Sequence, residues 1–263
     1  QEICDQGSFP IYLSKLRLKE DVVRDGEPYF HLISHGFVAE DADELRRFKD
    51  SADFGNVFSG FVFRIGRNEH PWDRLPEFDR LADELGMASS ATVFMADPNP
   101  ALTQCDDKEN ACRIAEAMLA SACAKTDVFV DTFMDLDRGH SVRNGVIDRR
   151  FNPRLGLHVV RHLHGVLNGA SECLIPFGRC ESAENSWIAV SSGSQIFVLL
   201  LSNGDGRDVE LHQWPTRSQK TGTASLIDLA TGNLEKLVWR QSGSKVCFDG
   251  GPTLLAPSLI AID

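Results

Sequence analysis

Four aspartates stand two or four residues apart in one short stretch, Asp127-Val-Phe-Val-Asp131-Thr-Phe-Met-Asp135-Leu-Asp137-Arg138-Gly139, and the last three run toward its C-terminal end. Read as a β-strand, it places Phe129, Asp131, Phe133, Asp135 and Asp137 on one face, and Val128, Val130, Thr132 and Met134 on the other. A carboxylate inside a strand loses hydration unless a cation, a hydrogen-bond donor or a ligand meets it. Carboxylates at the C-terminal end of a strand are where α/β enzymes place their chemistry. Asp131 and Asp135 are therefore candidate catalytic groups, and Asp137 and Arg138 candidate substrate contacts. The alternative is structural: Asp131 pairs with a nearby arginine and the other two aspartates cap a loop.

Other residues are positioned to reach the same mouth. Arg64 shares a strand face with Gly60 and Val62, where it would pair with Asp131 or hold a substrate carboxylate or hydroxyl. His31 and His35 are four apart, hence on one face of an expected strand. His140 and Arg143 follow the acidic strand in its loop. Glu69 follows Asn68 after a second strand and would need desolvation to serve as an acid, or else is a solvated loop residue before Pro71-Trp72. Asp97 follows a third strand. Trp72 offers an aromatic face for a ligand, or packs at a helix start.

The elements that must position these groups repeat. Apolar runs rich in β-branched and aromatic residues recur at Tyr29–Phe37, Phe58–Ile65, Ala91–Ala96 and Val128–Phe133. Asp41-Ala-Asp-Glu44 is a capping box that opens a helix through Phe48. Pro76 reads as a first helical residue, with Leu75, Phe78, Leu81, Ala82 and Leu85 on one face and Gly86 as the stop. A third helix is expected from about Asp107 to Lys125, with Ala111, Ile114, Ala115, Met118, Leu119 and Ala122 on one side. A fourth begins at Asn152-Pro153, turns Val159, Leu163 and Val166 inward, and stops at Gly169. Strand starts fall roughly 30–37 residues apart, the period of βα units in a parallel sheet. Four βα units in a row are predicted.

After Gly169 the pattern becomes strand–turn–strand without helices. Trp187–Val190, Gln195–Ser202, Asp208–Gln213, Ser225–Leu229, Leu234–Trp239, Lys245–Phe248 and Pro257–Ile262 predict a small antiparallel β-sandwich. The fold class is α/β plus all-β. Its domains are 1–169, whose four βα units form either an open sheet or a partial βα barrel, and 170–263, a C-terminal sandwich.

Composition sets further bounds. With 263 residues, 42% hydrophobic and 25% charged, the chain has the make-up of a soluble globular protein. Its formal charge of −11 and lack of a basic stripe argue against nucleic acid. No apolar run approaches the ~18 residues that would span a membrane. Seven cysteines without a CxxC pair read as reduced thiols, and no His stands at zinc-ligand spacing from a Cys pair. No metal and no cofactor are expected. The chain opens on Gln1 rather than Met, so a processed product or fragment is expected; with no signal peptide visible, the expected location is cytoplasmic.

The organisation resembles retaining glycoside hydrolases of the (β/α)8 superfamily. The likeness rests on Asp131-Thr-Phe-Met-Asp-Leu-Asp-Arg-Gly139 and on Arg143-Asn-Gly-Val-Ile-Asp-Arg-Arg-Phe-Asn-Pro-Arg154. In that superfamily the eighth strand leads to a "Gly-hydrophobic-Asp … Asn-Pro-Arg" loop and the last helix, as Gly145-Val-Ile-Asp148 and Asn152-Pro-Arg154 do here. Leu226-Ile-Asp-Leu-Ala-Thr-Gly-Asn-Leu234 resembles the superfamily's "Asp-hydrophobic-x-Thr-Gly" hairpin. The likeness spans about residues 58–263. It implies that the four βα units are the second half of a TIM barrel, completed by a missing N-terminal half or a second chain. An open half-barrel would leave two unpaired edges and an apolar face.

The resemblance implies a carbohydrate substrate and two carboxyls about 5 Å apart as acid/base and nucleophile. The superfamily's acid/base is a Glu after strand four, in the half not seen, and its nucleophile a Glu after strand seven. Asp97 stands at the latter place here, with shorter reach. His31, His35, Arg64, Trp72, Asp137, Arg138, His140 and Arg143 are the implied substrate contacts. The expected function is a glycoside hydrolase acting through these carboxylates. The alternative is a non-catalytic carbohydrate-binding or assembly subunit. A metal-dependent hydrolase on Asp131, Asp135, His31 and His35 is a third reading, excluded if activity survives chelation.

Overall fold

A computed structural model describes residues 23–24, 27–28, 60–66, 69–86, 88–94, 107–124, 126–131, 133–135, 145–170, 173–181, 186–202, 208–210, 220–249 and 257–262. The expected strand Tyr29–Phe37 and the helix opening at Asp41 lie outside these residues. A two-residue ladder pairs β1 (Val23–Arg24) with β2 (Glu27–Pro28).

The described part of the first unit is a three-stranded parallel sheet. β3 (Gly60–Ile65), β4 (Ala88–Phe94) and β5 (Asp127–Asp131) lie side by side in chain order. Helices α1 (Pro71–Leu85) and α2 (Asp107–Ala124) make the two crossovers. Helix α3 (Leu155–Leu167) follows β5. The apolar faces expected for these helices are the faces they bury: Leu75, Phe78 and Leu81 from α1, Ala111, Ile114 and Leu119 from α2, and Val159 and Leu163 from α3. Removing each large side chain from water contributes about 1.5–3 kcal/mol. Gly86 closes α1 in the left-handed region, at φ 68°, as a residue without a Cβ can.

Two helix starts differ from expectation. Helix α1 begins at Pro71, with His70 as its N-cap, so Pro76 lies inside it. The helix gives up the bond Pro76 cannot donate to the carbonyl one turn back. In exchange it packs Trp72 and Leu75, the latter fully buried, against the core. Helix α3 starts at Leu155 rather than Asn152. The Asp148 carboxylate holds the backbone N–H groups of Arg150 and Asn152 and keeps that segment a turn.

The second unit is one eight-stranded antiparallel sheet, ordered β6-β7-β8-β13-β10-β11-β12-β9. Its strands are β6 (Ile175–Glu181), β7 (Ser186–Ser192), β8 (Gln195–Leu200), β9 (Asp208–Glu210), β10 (Thr221–Asp228), β11 (Leu234–Ser242), β12 (Lys245–Asp249) and β13 (Ser258–Ile262). Period-two alternation divides it. Trp187, Ala189, Val198, Leu226, Leu237, Trp239, Phe248 and Ile260 form a core from sheet residues alone, so the sheet curls on itself. Ile188, Val190, Phe197, Leu199 and Leu259 point the other way and join the core of the helices. The two units thus share apolar contacts. Strand β6 has no counterpart among the expected strands; it holds a bulge between Pro176 and Gly178, which breaks the alternation.

The hairpin joining β10 to β11 carries the Asp228-Leu-Ala-Thr-Gly232 motif. Asp228 accepts from Ala230 N (2.8 Å) and Thr231 Oγ1 (2.7 Å), and Gly232 turns at φ 78°. A Cβ at Gly232 would stand 2.8 Å from His162 Nε2 of α3, and His162 Nδ1 lies 2.9 Å from the carbonyl of Leu229. The hairpin is therefore docked on the helix layer. No described helix is long and apolar enough to cross a membrane.

Candidate active site

Strand β5 sorts its residues as its alternation predicts. Val128 and Val130 pack against the helix core, while Phe129 is 47% exposed and Phe133, just beyond the strand, 62% exposed. Asp131 ends β5, paired in parallel register with Phe94 of β4. Its backbone alone is described. Arg64 lies on β3 opposite Thr92 of β4, its backbone alone described. Asp97, His31, His35, Asp137, Arg138, His140 and Arg143 lie outside the described residues.

Asp135 is buried and engaged at both oxygens. Oδ1 accepts from Gly145 N at 3.0 Å, and Oδ2 meets Arg154 Nη2 at 2.5 Å. Arg154 Nη1 lies 2.8 Å from Asp107 Oδ1, at the first residue of α2. One guanidinium thus joins the segment that follows β5 and the starts of α2 and α3. Burial alone would lower the Arg154 pKa, but hydrogen bonding and attraction from Asp135 and Asp107 outweigh it and raise it. Around this pair, Met134 bridges Ile147 in parallel, and Ile147 bridges Pro153 in antiparallel sense. Gly145 fits because a Cβ would meet the backbone of Met134, Asp135 and Ile147.

Glu69 is also engaged. Oε2 accepts from Gly66 N at 2.5 Å, and Oε1 lies 3.2 Å from Arg74 Nε without hydrogen-bond alignment. Arg113 of α2 donates to the carbonyls of Glu69 (2.8 Å) and Gly66, clamping the turn. Trp72 is half-buried against the core, and its backbone N–H donates to Glu116 Oε1 at 3.1 Å. This is the position of a helix-start packing residue.

A cavity of about 320 Å³ opens at the seam between the units, lined by Glu69, His70, Arg113, Glu116, Arg179 and Glu181 among others. His70 Nε2 is 2.9 Å from Glu181 Oε1, and Nδ1 is 3.5 Å from Glu116 Oε1. Arg179 pairs with Asp73 (2.5 Å) and Glu181 (2.7 Å). Burial works to lower the Arg179 pKa, but Asp73, Glu181 and Glu116 together raise it. His70, Glu116, Arg179 and Glu181 engage one another across the seam, which suits a latch between units better than a reactive centre. This cluster has almost no signature in the sequence. Its one local signal is Glu116, a carboxylate among the apolar residues of α2 and 6% exposed. Among the described residues no group of three His, Cys, Asp or Glu side chains stands at metal-binding spacing.

No protein-family profile matches the chain, and no curated protein does. Glycoside hydrolases are among the solved structures that resemble it. A family 5 glycoside hydrolase from Bacteroides vulgatus ATCC 8482 is 12% identical with a TM-score of 0.44, over 84% of this chain and 65% of that one. A GH30 endoxylanase from Clostridium papyrosolvens C71 is 8% identical, with a TM-score of 0.42, over 81% and 50%. An α-amylase from Geobacillus thermoleovorans is 12% identical, with a TM-score of 0.45, over 84% and 51%. The chain thus spans between half and two thirds of their length. Likeness at this level assigns neither a family nor an activity.

Proposed function

We propose that this chain is the C-terminal part of a (β/α) barrel glycoside hydrolase, acting on a glycan through carboxylates at the C-terminal ends of its parallel strands. The observation that carries the reading is the exposure of Phe129 opposite the packed Val128 and Val130. Phe129 faces solvent on the strand that Asp131 ends. An aromatic surface beside an acidic strand end suits a pyranose, which offers a ring an apolar C–H face and offers carboxylates its hydroxyls. The reading keeps the division into 1–169 and 170–263. It assigns Asp131 to catalysis, with Asp97 as the further candidate and the loop residues Asp137, Arg138, His140 and Arg143 as substrate contacts.

A second reading, a non-catalytic carbohydrate-binding subunit, is favoured by Asp135 and Glu69. Each is held by a guanidinium and a backbone N–H. A carboxylate so engaged builds its loop and offers a substrate little. A panel of neutral and acidic polysaccharides separates the readings when binding and release of reducing ends are measured together. Turnover lost in Asp131→Asn with binding kept supports the enzyme. Binding without turnover in the parent protein supports the second reading.

A further inference from the structure

We infer that the turn Asp148–Pro153 is a subsite for an anionic saccharide, with Phe151 as the stacking platform and Arg149 and Arg150 as ligands for a carboxylate or sulfate group. The inference rests on the glycan reading above and deepens it.

The turn is built to hold its tip still. Asp148 Oδ1 accepts from Arg150 N (2.7 Å) and Asn152 N (2.8 Å), and Oδ2 accepts from Asn152 Nδ2 (2.9 Å). The backbone closes the same loop: Asp148 N donates to Asn152 O at 2.9 Å, Phe151 N to Asp148 O at 3.0 Å, and Arg154 N to Val146 O at 2.9 Å. At its apex Phe151 sits at φ 63°, alone among the described non-glycine residues in having a positive φ. The left-handed region disfavours a bulky side chain, and Asn or Gly would occupy it with less strain. Phe151 gains no burial in return, since it is 74% exposed. A strained, rigidly held and solvent-facing aromatic points to a ligand.

Position and charge name the class of ligand. Ile147 bridges Met134, three residues past the end of β5, in parallel sense, so the turn that follows Ile147 lies beyond the C-terminal end of that strand. Arg149 and Arg150 directly precede Phe151 and are exposed, in a chain of net charge −11. A planar guanidinium binds carboxylate or sulfate oxygens through paired donors. A neutral glycan would need the ring but not the charges.

The test is affinity electrophoresis of the full chain in gels holding polygalacturonate, dextran sulfate, dextran or xylan. The expected result is retention on an anionic gel that salt weakens. Phe151→Ala should lower that affinity roughly tenfold, Phe151→Trp restore it, and Arg149→Ala/Arg150→Ala remove the salt dependence. Stronger retention by polygalacturonate assigns a carboxylate, and by dextran sulfate a sulfate. Equal retention of parent and Phe151→Ala overturns the subsite. Retention by dextran or xylan alone overturns the anionic class while leaving the glycan reading standing. No retention by any gel overturns both.

Discussion

Replacing Asp135 by Asn isolates the pair that ties the segment after β5 to the helix layer. The carboxylate is 5% exposed and its partner Arg154 18% exposed. In the variant Oδ1 keeps the bond from Gly145 N, while the other oxygen becomes an amide whose donors face a guanidinium. One charge-assisted hydrogen bond, about 1.5–3 kcal/mol, is lost. Leaving a buried guanidinium short of its partner costs more, up to about 3–5 kcal/mol in a fully buried pair. Arg154 retains Asp107, half-exposed at 2.8 Å, so the expected total is about 3 kcal/mol. For a chain of this size that lowers Tm by about 6–12 °C. Urea denaturation of Asp135→Asn, Arg154→Met and the double variant gives the coupling directly. Non-additivity of at least ~1 kcal/mol is expected. Additive losses, or a single variant as stable as the parent, would refute the account of this pair.

Three further outcomes follow from the same geometry. Gly145→Ala places a Cβ against the backbone of Met134 and Asp135 and 2.8 Å from Ile147 O, and should lower stability by about 3 kcal/mol in the same assay. Burial pushes the Cys123 thiol up to about 12, whereas Cys173 is exposed. Iodoacetamide at pH 8 should therefore label Cys173 in the native protein and Cys123 only after unfolding, as mass spectrometry reads. Asp148 is held below the usual aspartate range, first by the Asn152 side-chain amide, then by the N–H groups of Asn152 and Arg150. A lowered folded value means the turn's contribution is complete above the unfolded value of about 3.9 and is lost as pH falls through the folded one. Amide exchange at Asn152 should accelerate over that acid window in the parent and show no such step in Asp148→Asn.

Much of the scaffold is legible in the residues. The alternation of Val128 and Val130 with Phe129 is the division between packed and exposed faces. Gly86 stops α1 where its φ requires, and the Asp228–Gly232 motif makes its turn by the bonds its residue types allow. What escaped depends on tertiary contacts. Either Pro71 or Pro76 suits a helix start, and only the core under Trp72 and Leu75 decides for Pro71. Strand β6 hides behind Pro176 and its bulge, and Gly178 is small because a Cβ there would press on the Trp187 ring at 3.1 Å. The latch of His70, Glu116, Arg179 and Glu181 joins residues up to 111 positions apart, beyond any local pattern. Asp135 reads locally as a candidate acid, yet Arg154, 19 residues on, engages it.

The most direct test of the central claim is the rate of reducing-end release by Asp131→Asn against the parent, on whichever polysaccharide the parent cleaves and at matched folded fraction. A catalytic carboxylate at the end of β5 predicts a loss of at least ~100-fold in kcat with stability retained. Turnover equal to the parent's would remove Asp131 from the chemistry and, with it, the assignment of the site to this strand.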